Sequence, residues 1–536
     1  MIRIKKYTVL YSALVALFMT SCVDMDTKPN AAFVTSEQKE DVYESNPDMV
    51  KASVTGITSL FSIYGNSSSV ILGSLRHSDI GYGSIMLSTD SRGMDFVSES
   101  TGYNWFSGGV EFSDNLKTSD ETYMIWMTIY NQLNATRLIT SVIDPATDNE
   151  ELQFYLAQAL TIRAFDYFTL AQLYQFNYVG HEDALCVPII TEKNADDVAV
   201  NGAARATVRA VYDTIMSDLN KAVELLESSS VERDDKRYVN KAVAYGLRAR
   251  VNLTMQNWDA AAADAKKAID ESGATPYTIA QVQRPAFSDI EDNSWMWGIL
   301  IAETDRVVTS GIVNFPSHMG SLNYGYASVG AWRRVSEALY NSIPASDVRK
   351  GWFLDGDKKS ANLNPAEQSY IVNTAGAPAY TQVKYAPYKG ELYTSENACD
   401  IPLMRIEEMY LILAEAQAMG GDPATGKTTL ENFVKTYRNP SYTCTASTPE
   451  GVQDAVWYQR RLELWGEGLS YYDIMRLKKG IDRRGAGFQA EYVFNIPAED
   501  NILIYRIPER EEQTNPLISD ADNNPATSTP SPVTDF

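Results

Sequence analysis

Residues 421–428 read GDPATGKT and place Gly421, Gly426, Lys427 and Thr428 at the G-x-x-x-x-G-K-[ST] spacing of a backbone cradle for nucleotide phosphates. Such a cradle works only between a strand and a helix. The preceding residues, RIEEMYLILAEAQAMG (405–420), put Met409, Leu413 and Ala416 on one helical face instead. Gly420 and Gly421 suit a helix end that needs a left-handed residue. Asp422 then suits an N-cap and Pro423 the first helical position. Leu430, Phe433, Val434 and Tyr437 continue a partner helix. The stretch therefore predicts the turn of a helical hairpin, with its amides spent inside the helix and no nucleotide hydrolysis.

Carboxylates are the next candidates. RRLELWGEGLSYYDIMRLKKG sets Arg461, Glu463, Glu467, Asp473 and Arg476 at helical intervals. Two of its acids could act as the pair of a glycoside hydrolase. An arginine beside each acid favours the ionised form, which works against general-acid chemistry, so a buried charge network is expected. Arg163 with Asp166, and Arg405 with Glu415, read the same way. There is no G-x-S-x-G, and His77, His181 and His318 are scattered without an H-E-x-x-H, so neither a nucleophile nor a zinc site is expected. Asp520, Asp522 and Asn524 alternate like the start of a calcium loop, but Pro525 and the missing closing Glu argue against one. No cofactor and no metal are expected, and an enzyme is the lesser alternative.

Binding chemistry fits the composition better, with 32 Tyr and 9 Trp against 3 His. Flat aromatic faces flanked by hydrogen-bonding groups hold sugars or peptides without catalysis. Two irregular stretches offer them. STDSRGMDFVSESTGYNWFSGG carries Asp90, Arg92, Tyr103, Asn104 and Trp105; SHMGSLNYGYASVGAWRR carries Asn323, Tyr324, Tyr326 and Trp332. Trp295 and Trp297 alternate as in a strand and are expected in the core, and His77 is expected to be an ordinary loop histidine.

The elements that must position these residues are mostly helical. Periodic faces occur near 126–139 (Trp126, Tyr130, Leu133, Ile139), over 151–178 (Leu156, Leu160, Ala164, Tyr167, Ala171, Tyr174) and from 207 (Val208, Val211, Ile215, Leu219, Ala222, Leu226). In 240–270, Ala242, Tyr245 and Ala249 precede a break at Gln256-Asn257. Trp258, Ala261, Ala265 and Ala268 follow it, like a tetratricopeptide hairpin that must stack on neighbours. Residues 275–400 break every period with Gly, Asn, Pro and aromatics, as long functional loops do.

The N-terminus reads as a targeting segment: Arg3, Lys5 and Lys6, a short apolar run, then Met19-Thr20-Ser21-Cys22, which resembles a bacterial lipobox. Cys22 is the expected lipidation site, residues 22–46 a tether, and nothing later is long and apolar enough to span a bilayer. Losing Arg3, Lys5 and Lys6 takes the net charge from −23 to −26, which repels nucleic acid. Cys186, Cys399 and Cys444 are no disulfide framework, although one bridge is possible.

Several stretches together resemble the SusD/RagB family of Bacteroidetes outer-membrane nutrient-binding lipoproteins. They are the lipobox with Asp24 and Asp26 behind it, WMTIYNQLNATRLI, YLAQALTIRAFDYFTLAQLYQ with CVPII, and RATVRAVYDTIMSDLNKAVELL. IPLMRIEEMYLILAEAQA, RRLELWGEGLSYYDIMRLKKG and YRIPEREEQTNPLI complete the set. They cover most of the chain in family order; the extreme C-terminus departs from the family's aromatic ending. The resemblance implies a mainly α, SusD-like fold over 47–519, with four tetratricopeptide-like hairpins (about 120–270 and 400–480) and a loop-rich ligand-binding insert (about 275–400). A polar tail, 520–536, follows. It further implies an outward-facing lipoprotein of the outer membrane, held by its N-terminal lipid. Such a protein binds oligosaccharides, or alternatively peptides, and works with a SusC-like TonB-dependent β-barrel transporter.

Overall fold

The computed structural model describes residues 47–64 and 78–534. The lipobox, the whole of the tether and His77 lie outside the described residues.

Helix α1 (Pro47–Ser59) leads into α2 (Tyr82–Arg92) and strand β1 (Phe96–Val97). The scaffold then runs through α3 (Asp120–Thr140), α4 (Glu150–Tyr174), the short α5 (Ala195–Asn201), α6 (Val208–Ser228), α7 (Lys241–Thr254) and α8 (Trp258–Ser272). After the loop-rich insert, which holds β2 (Trp295–Ile299) and β3 (Arg334–Val335), come β4 (Ile401–Arg405), α9 (Ile406–Met419), α10 (Pro423–Tyr437), α11 (Pro449–Glu463) and α12 (Ser470–Arg476). Strands β5 (Ile481–Asp482) and β6 (Asn495–Ile496) and helix α13 (Glu509–Thr514) close the chain.

The starts of these helices follow from their caps. Asn149, Thr207, Asn240, Asp422 and Thr448 each accept a backbone N–H of the first turn, which satisfies donors the helix itself leaves open. The long helices pack in series: α3 on α4, α4 on α6, α6 on α7, α7 on α8, α8 on α9, and α9 on both α10 and α11. Eight helices stacked in that order suit the four tetratricopeptide-like hairpins expected. Small residues allow the close approach. Ala261, Ala265 and Ala268 are fully buried, and a Cβ on Gly246 would stand 2.5 Å from the Met404 sulfur.

The phosphate-cradle pattern resolves as the sequence predicts. Gly421 has a positive φ of 106°, the Asp422 side chain accepts from Thr425 N, and Pro423 opens α10. Gly426 has a packing reason: a Cβ there would press on the Ala414 carbonyl oxygen at 2.5 Å. Thr428 donates its hydroxyl to Ala424 O at 2.8 Å, as an ordinary helical threonine does.

β2 pairs antiparallel with β4, and Trp295 and Trp297 are fully buried there, as expected. β1 pairs antiparallel with β3, Phe96 opposite Val335 and Val97 opposite Arg334. Cys186, Cys399 and Cys444 are buried free thiols. The C-terminal segment lies along the body: buried Asn524 donates to Tyr174 O and Tyr505 O, and Val533 N donates to Val493 O.

Candidate functional site

The acids that could have formed a catalytic pair are locked to cations. Glu463, fully buried, accepts from Arg438 at 2.6 and 2.7 Å, from Arg405 at 3.1 Å and from Arg349 at 3.2 Å. Burial pushes its carboxyl up, but the three guanidinium groups outweigh that and hold it well below the carboxylate range. Glu467 is held by Arg405 and Lys384, whose ammonium stands 2.6 Å away and is pushed down to about 8 by burial. Asp473 pairs with Arg460 and Arg476. Arg461 pairs with Asp95 at 2.6 Å rather than with an acid of its own motif.

Two expected pairs are corrected. Arg163 holds Asp218 and Glu192, while Asp166 sits buried, its carboxyl pushed well up by loss of water. Arg405 holds Glu407, Glu463 and Glu467, and Glu415 belongs to Arg476. Among the described residues no group of three or more His, Cys, Asp and Glu could hold a metal. In the stretch that resembles a calcium loop, Asp520 is spent on Lys117 and Arg506, and Asp522 caps Ser519.

The two aromatic stretches, more than 200 residues apart in sequence, come together. The β1–β3 pair joins the middle of the first to the end of the second. Arg333 bonds across, donating Nη1 to Asn104 Oδ1 at 3.0 Å and Nε to His318 O at 2.8 Å. Arg333 is fully buried, and burial pushes its guanidinium down to about 9. The Tyr103 ring covers Gly330, whose Cβ, if it had one, would lie 3.0 Å from Cδ2. Tyr103 and Trp105 remain 52% and 41% exposed, so their rings face solvent.

On the second stretch, Tyr326 is half-buried and stacks on His318, centroids 4.6 Å apart at 12°, and Phe106 meets the other side of His318 edge-on. Tyr324 is half-buried and meets Tyr393 edge-on at 5.1 Å. Trp332 is half-buried and packs on the cluster of Leu322, Leu354 and Ile371.

The polar members of the predicted set are buried beneath the surface. Asp90 is buried and accepts Gly468 N at 2.9 Å; burial pushes its carboxyl up to about 7. Arg92 is fully buried, ion-paired to Asp114, bonded to Ile502 O, and flanked by the Phe112, Tyr471 and Tyr505 rings. Asn104 and Asn323 are buried too: Asn104 braces Arg333, and Asn323 donates to Pro316 O and pairs with Asn397. Burial closes these four off from a surface ligand, which corrects the expectation that they offer its polar contacts.

One exposed ring was missed from the sequence. Tyr393, 57% exposed, belongs to this face and meets Tyr324 and Tyr370. Its signal was the one used for the others, an aromatic residue in a Gly- and Pro-rich stretch, 373–393. The result is a fixed surface of aromatic rings with a hydrogen-bonded floor, able to stack on flat ligands and offering no free acid–base pair.

A stacked helical scaffold carrying a loop-built aromatic face defines a class of binding protein, and the comparisons identify it. A model described as "Starch-binding associating with outer membrane" matches residues 81–253, and one described as "SusD family" matches 351–525. The chain belongs to the SusD/RagB family. A SusD-like carbohydrate binding protein from Bacteroides vulgatus superposes with a TM-score of 0.72 at 22% identity, covering 90% of this chain and 98% of that one. A SusD superfamily protein from Bacteroides thetaiotaomicron gives 0.72 at 23%, covering 89% and 99%. One from Parabacteroides distasonis gives 0.64 at 16%, covering 92% and 100%. No curated protein matches the sequence. The fold is thus mainly α and SusD-like, as the sequence implies.

Proposed function

We propose that this chain is a surface lipoprotein that binds fragments of a nutrient polymer, oligosaccharides first, and passes them uncut to a SusC-like TonB-dependent β-barrel in the outer membrane. The observation that carries this reading is the joining of the two aromatic stretches through β1–β3 and the Tyr103–Gly330 contact, with Tyr103 and Trp105 exposed on one stretch and Tyr393 exposed against Tyr324 of the other. Sugar rings present flat C–H faces that stack on such rings, and the buried Arg333–Asn104 bond keeps the floor from collapsing. Membership of the SusD/RagB family supports the outer-membrane setting and the barrel partner. Among the described residues no helix is long and apolar enough to cross a membrane. Cys22 supplies the lipid anchor in this reading. Binding without cleavage follows from the locked acids, since Glu463, Glu467 and Asp473 are all ion-paired.

The test is a glycan array read beside a peptide library, then calorimetry on the best ligand. Trp105→Ala combined with Tyr103→Ala should weaken binding at least about tenfold, since stacked aromatic anchors contribute of order 1 kcal/mol or more each. Unchanged affinity would move the ligand off this face, and release of cleaved product would make the protein an enzyme.

A further inference from the structure

A cavity opens in the scaffold, lined by no residue of the two aromatic stretches. It has a volume of about 350 Å³ and is walled by α3, by the segment that carries α5, and by α13. Its floor is a pair of rings, Trp126 and Tyr130, with centroids 4.6 Å apart and planes tilted by 38°. The Tyr130 hydroxyl is tied to Pro188 O at 2.8 Å, so that ring is fixed.

Opposite charges stand at the two ends. Glu511 accepts from Trp126 Nε1 at 3.3 Å and from Asn515 Nδ2 at 2.9 Å. Arg137 donates to Asn134 Oδ1 from Nε at 3.3 Å and from Nη2 at 2.9 Å. Glu511 is half-buried, the Arg137 guanidinium meets Asn134 at the exposed end, and neither forms an ion pair with another described residue. A carboxylate and a guanidinium, each held in place by neutral neighbours and each facing one cavity, are complementary to a ligand that carries an ammonium at one end and a carboxylate at the other.

We infer that this cavity is a binding site for a short zwitterionic peptide, its free amine against Glu511, its free carboxylate against Arg137, and its middle over the Trp126 and Tyr130 rings. The length fits. Trp126 and Arg137 are eleven residues apart on one helix, about 16 Å along its axis. Both side chains lean toward the helix N-terminus, and the Arg137 guanidinium folds back on Asn134, so a short extended peptide of about three to four residues suits the distance. The cover fits too. Helix α5 buries none of its own side chains, and its Val200, 80% exposed, lies at the cavity's rim. Both of its ends are fixed: Asn194 donates to Ile189 O at 2.9 Å at the entrance, and at the exit Gly202 has a φ of +76°, where a Cβ would collide with Asn515, which bonds Ala203 O at 2.8 Å. A peptide would give this helix the apolar partner it lacks.

The experiment is calorimetric titration of the full chain with trialanine, with N-acetyl-trialanine and with trialanine amide. Trialanine should bind saturably, and blocking either end should weaken it about tenfold or more, because each block deletes a charge-assisted bond. Glu511→Gln should weaken trialanine similarly and abolish the penalty for acetylation, while Arg137→Gln should abolish the penalty for amidation. Tyr103→Ala with Trp105→Ala should leave all of this unchanged, which separates the cavity from the aromatic face. The inference is overturned if trialanine does not bind saturably, if the three forms bind equally (a merely apolar hole), or if its binding is lost with Trp105. It is equally overturned if α5 and this cavity prove to be covered by another protein in the assembled membrane complex.

Discussion

Glu463→Gln removes one charge from the centre of the molecule. In the native chain its two oxygens take hydrogen bonds from Arg349, Arg405 and Arg438, all fully buried. After the change, Arg349 keeps Asp347, Arg438 keeps Glu407, and Arg405 keeps Glu407 and Glu467. Three guanidinium groups are left with less negative charge than they need in a region closed to water. Breaking a buried pair in this way costs about 3–5 kcal/mol. For a cooperative unit of this size such a loss lowers Tm by about 3–4 °C. The sign of the pH dependence follows from the depressed carboxyl. Its stabilisation is fully present above the unfolded value of about 4.3 and is lost as pH falls through the lower folded value. The gap between wild type and variant should therefore be constant from pH 8 to pH 5 and shrink only in stronger acid. Scanning calorimetry across that range measures it. A variant within 1 °C of wild type at pH 7 would refute the network argument, as would a cleavage activity in wild type that Glu463→Gln abolishes.

Asp90 supplies a prediction of opposite sign. Burial pushes its carboxyl up to about 7, so the folded state takes up a proton that the unfolded chain does not hold until about pH 4. Wild type should gain stability as pH falls from 8 to 5, and Asp90→Asn should flatten part of that gain; an identical slope in the variant would show that Asp90 is ionised in the fold. At the membrane, Cys22→Ala should leave the chain unlabelled by palmitate and outside the membrane fraction, whereas the lipidated wild type, extracted in mild detergent, should bring down a β-barrel. A labelled variant, or wild type recovered alone, would count against the anchor or the partner.

Local pattern made the scaffold legible. The face of α6 repeats every three to four residues, and caps such as Asn149 and Asp422 sit where helices begin, whereas α4, expected to bury one face, is buried on nearly every side because helices pack around it. The same context showed that GDPATGKT is a turn between helices. What stayed hidden was long-range. Arg476 finds Glu415 sixty-one residues away, and Arg163 takes Asp218 rather than the nearby Asp166. Spacing along a helix cannot choose among such partners. The buried placement of Asp90 and Arg92 was hidden for a related reason. All eleven residues of α2 are buried, so the helix carries no polar face to distinguish an interior Asp from a surface one. The aromatic face was half visible: composition and loop character pointed to Tyr103, Trp105, Tyr324 and Tyr326, but only folding could add Tyr393 and remove Asn104 and Asn323.

The motif that reads as a catalytic pair has a mechanical role in holding that face. Arg461 grips Asp95 at 2.6 Å, and Trp465 donates its indole N–H to Asp95 O at 2.8 Å. Asp95 precedes β1, and its carbonyl also accepts Ser336 N just beyond β3. The same short segment fixes the insert. Lys384 donates to Glu463 O, Trp465 O and Glu467, Tyr385 donates to Gly466 O at 2.7 Å, and Arg349 reaches Glu463. Residues 461–467 thus tie the N-terminal aromatic stretch and the mid-chain insert to one point on the helical scaffold. Loops this long would otherwise lose conformational entropy on meeting a ligand and weaken its capture. The buried acids are ion-paired, and the same pairing holds an irregular surface in one order, as the proposed capture of a ligand there requires.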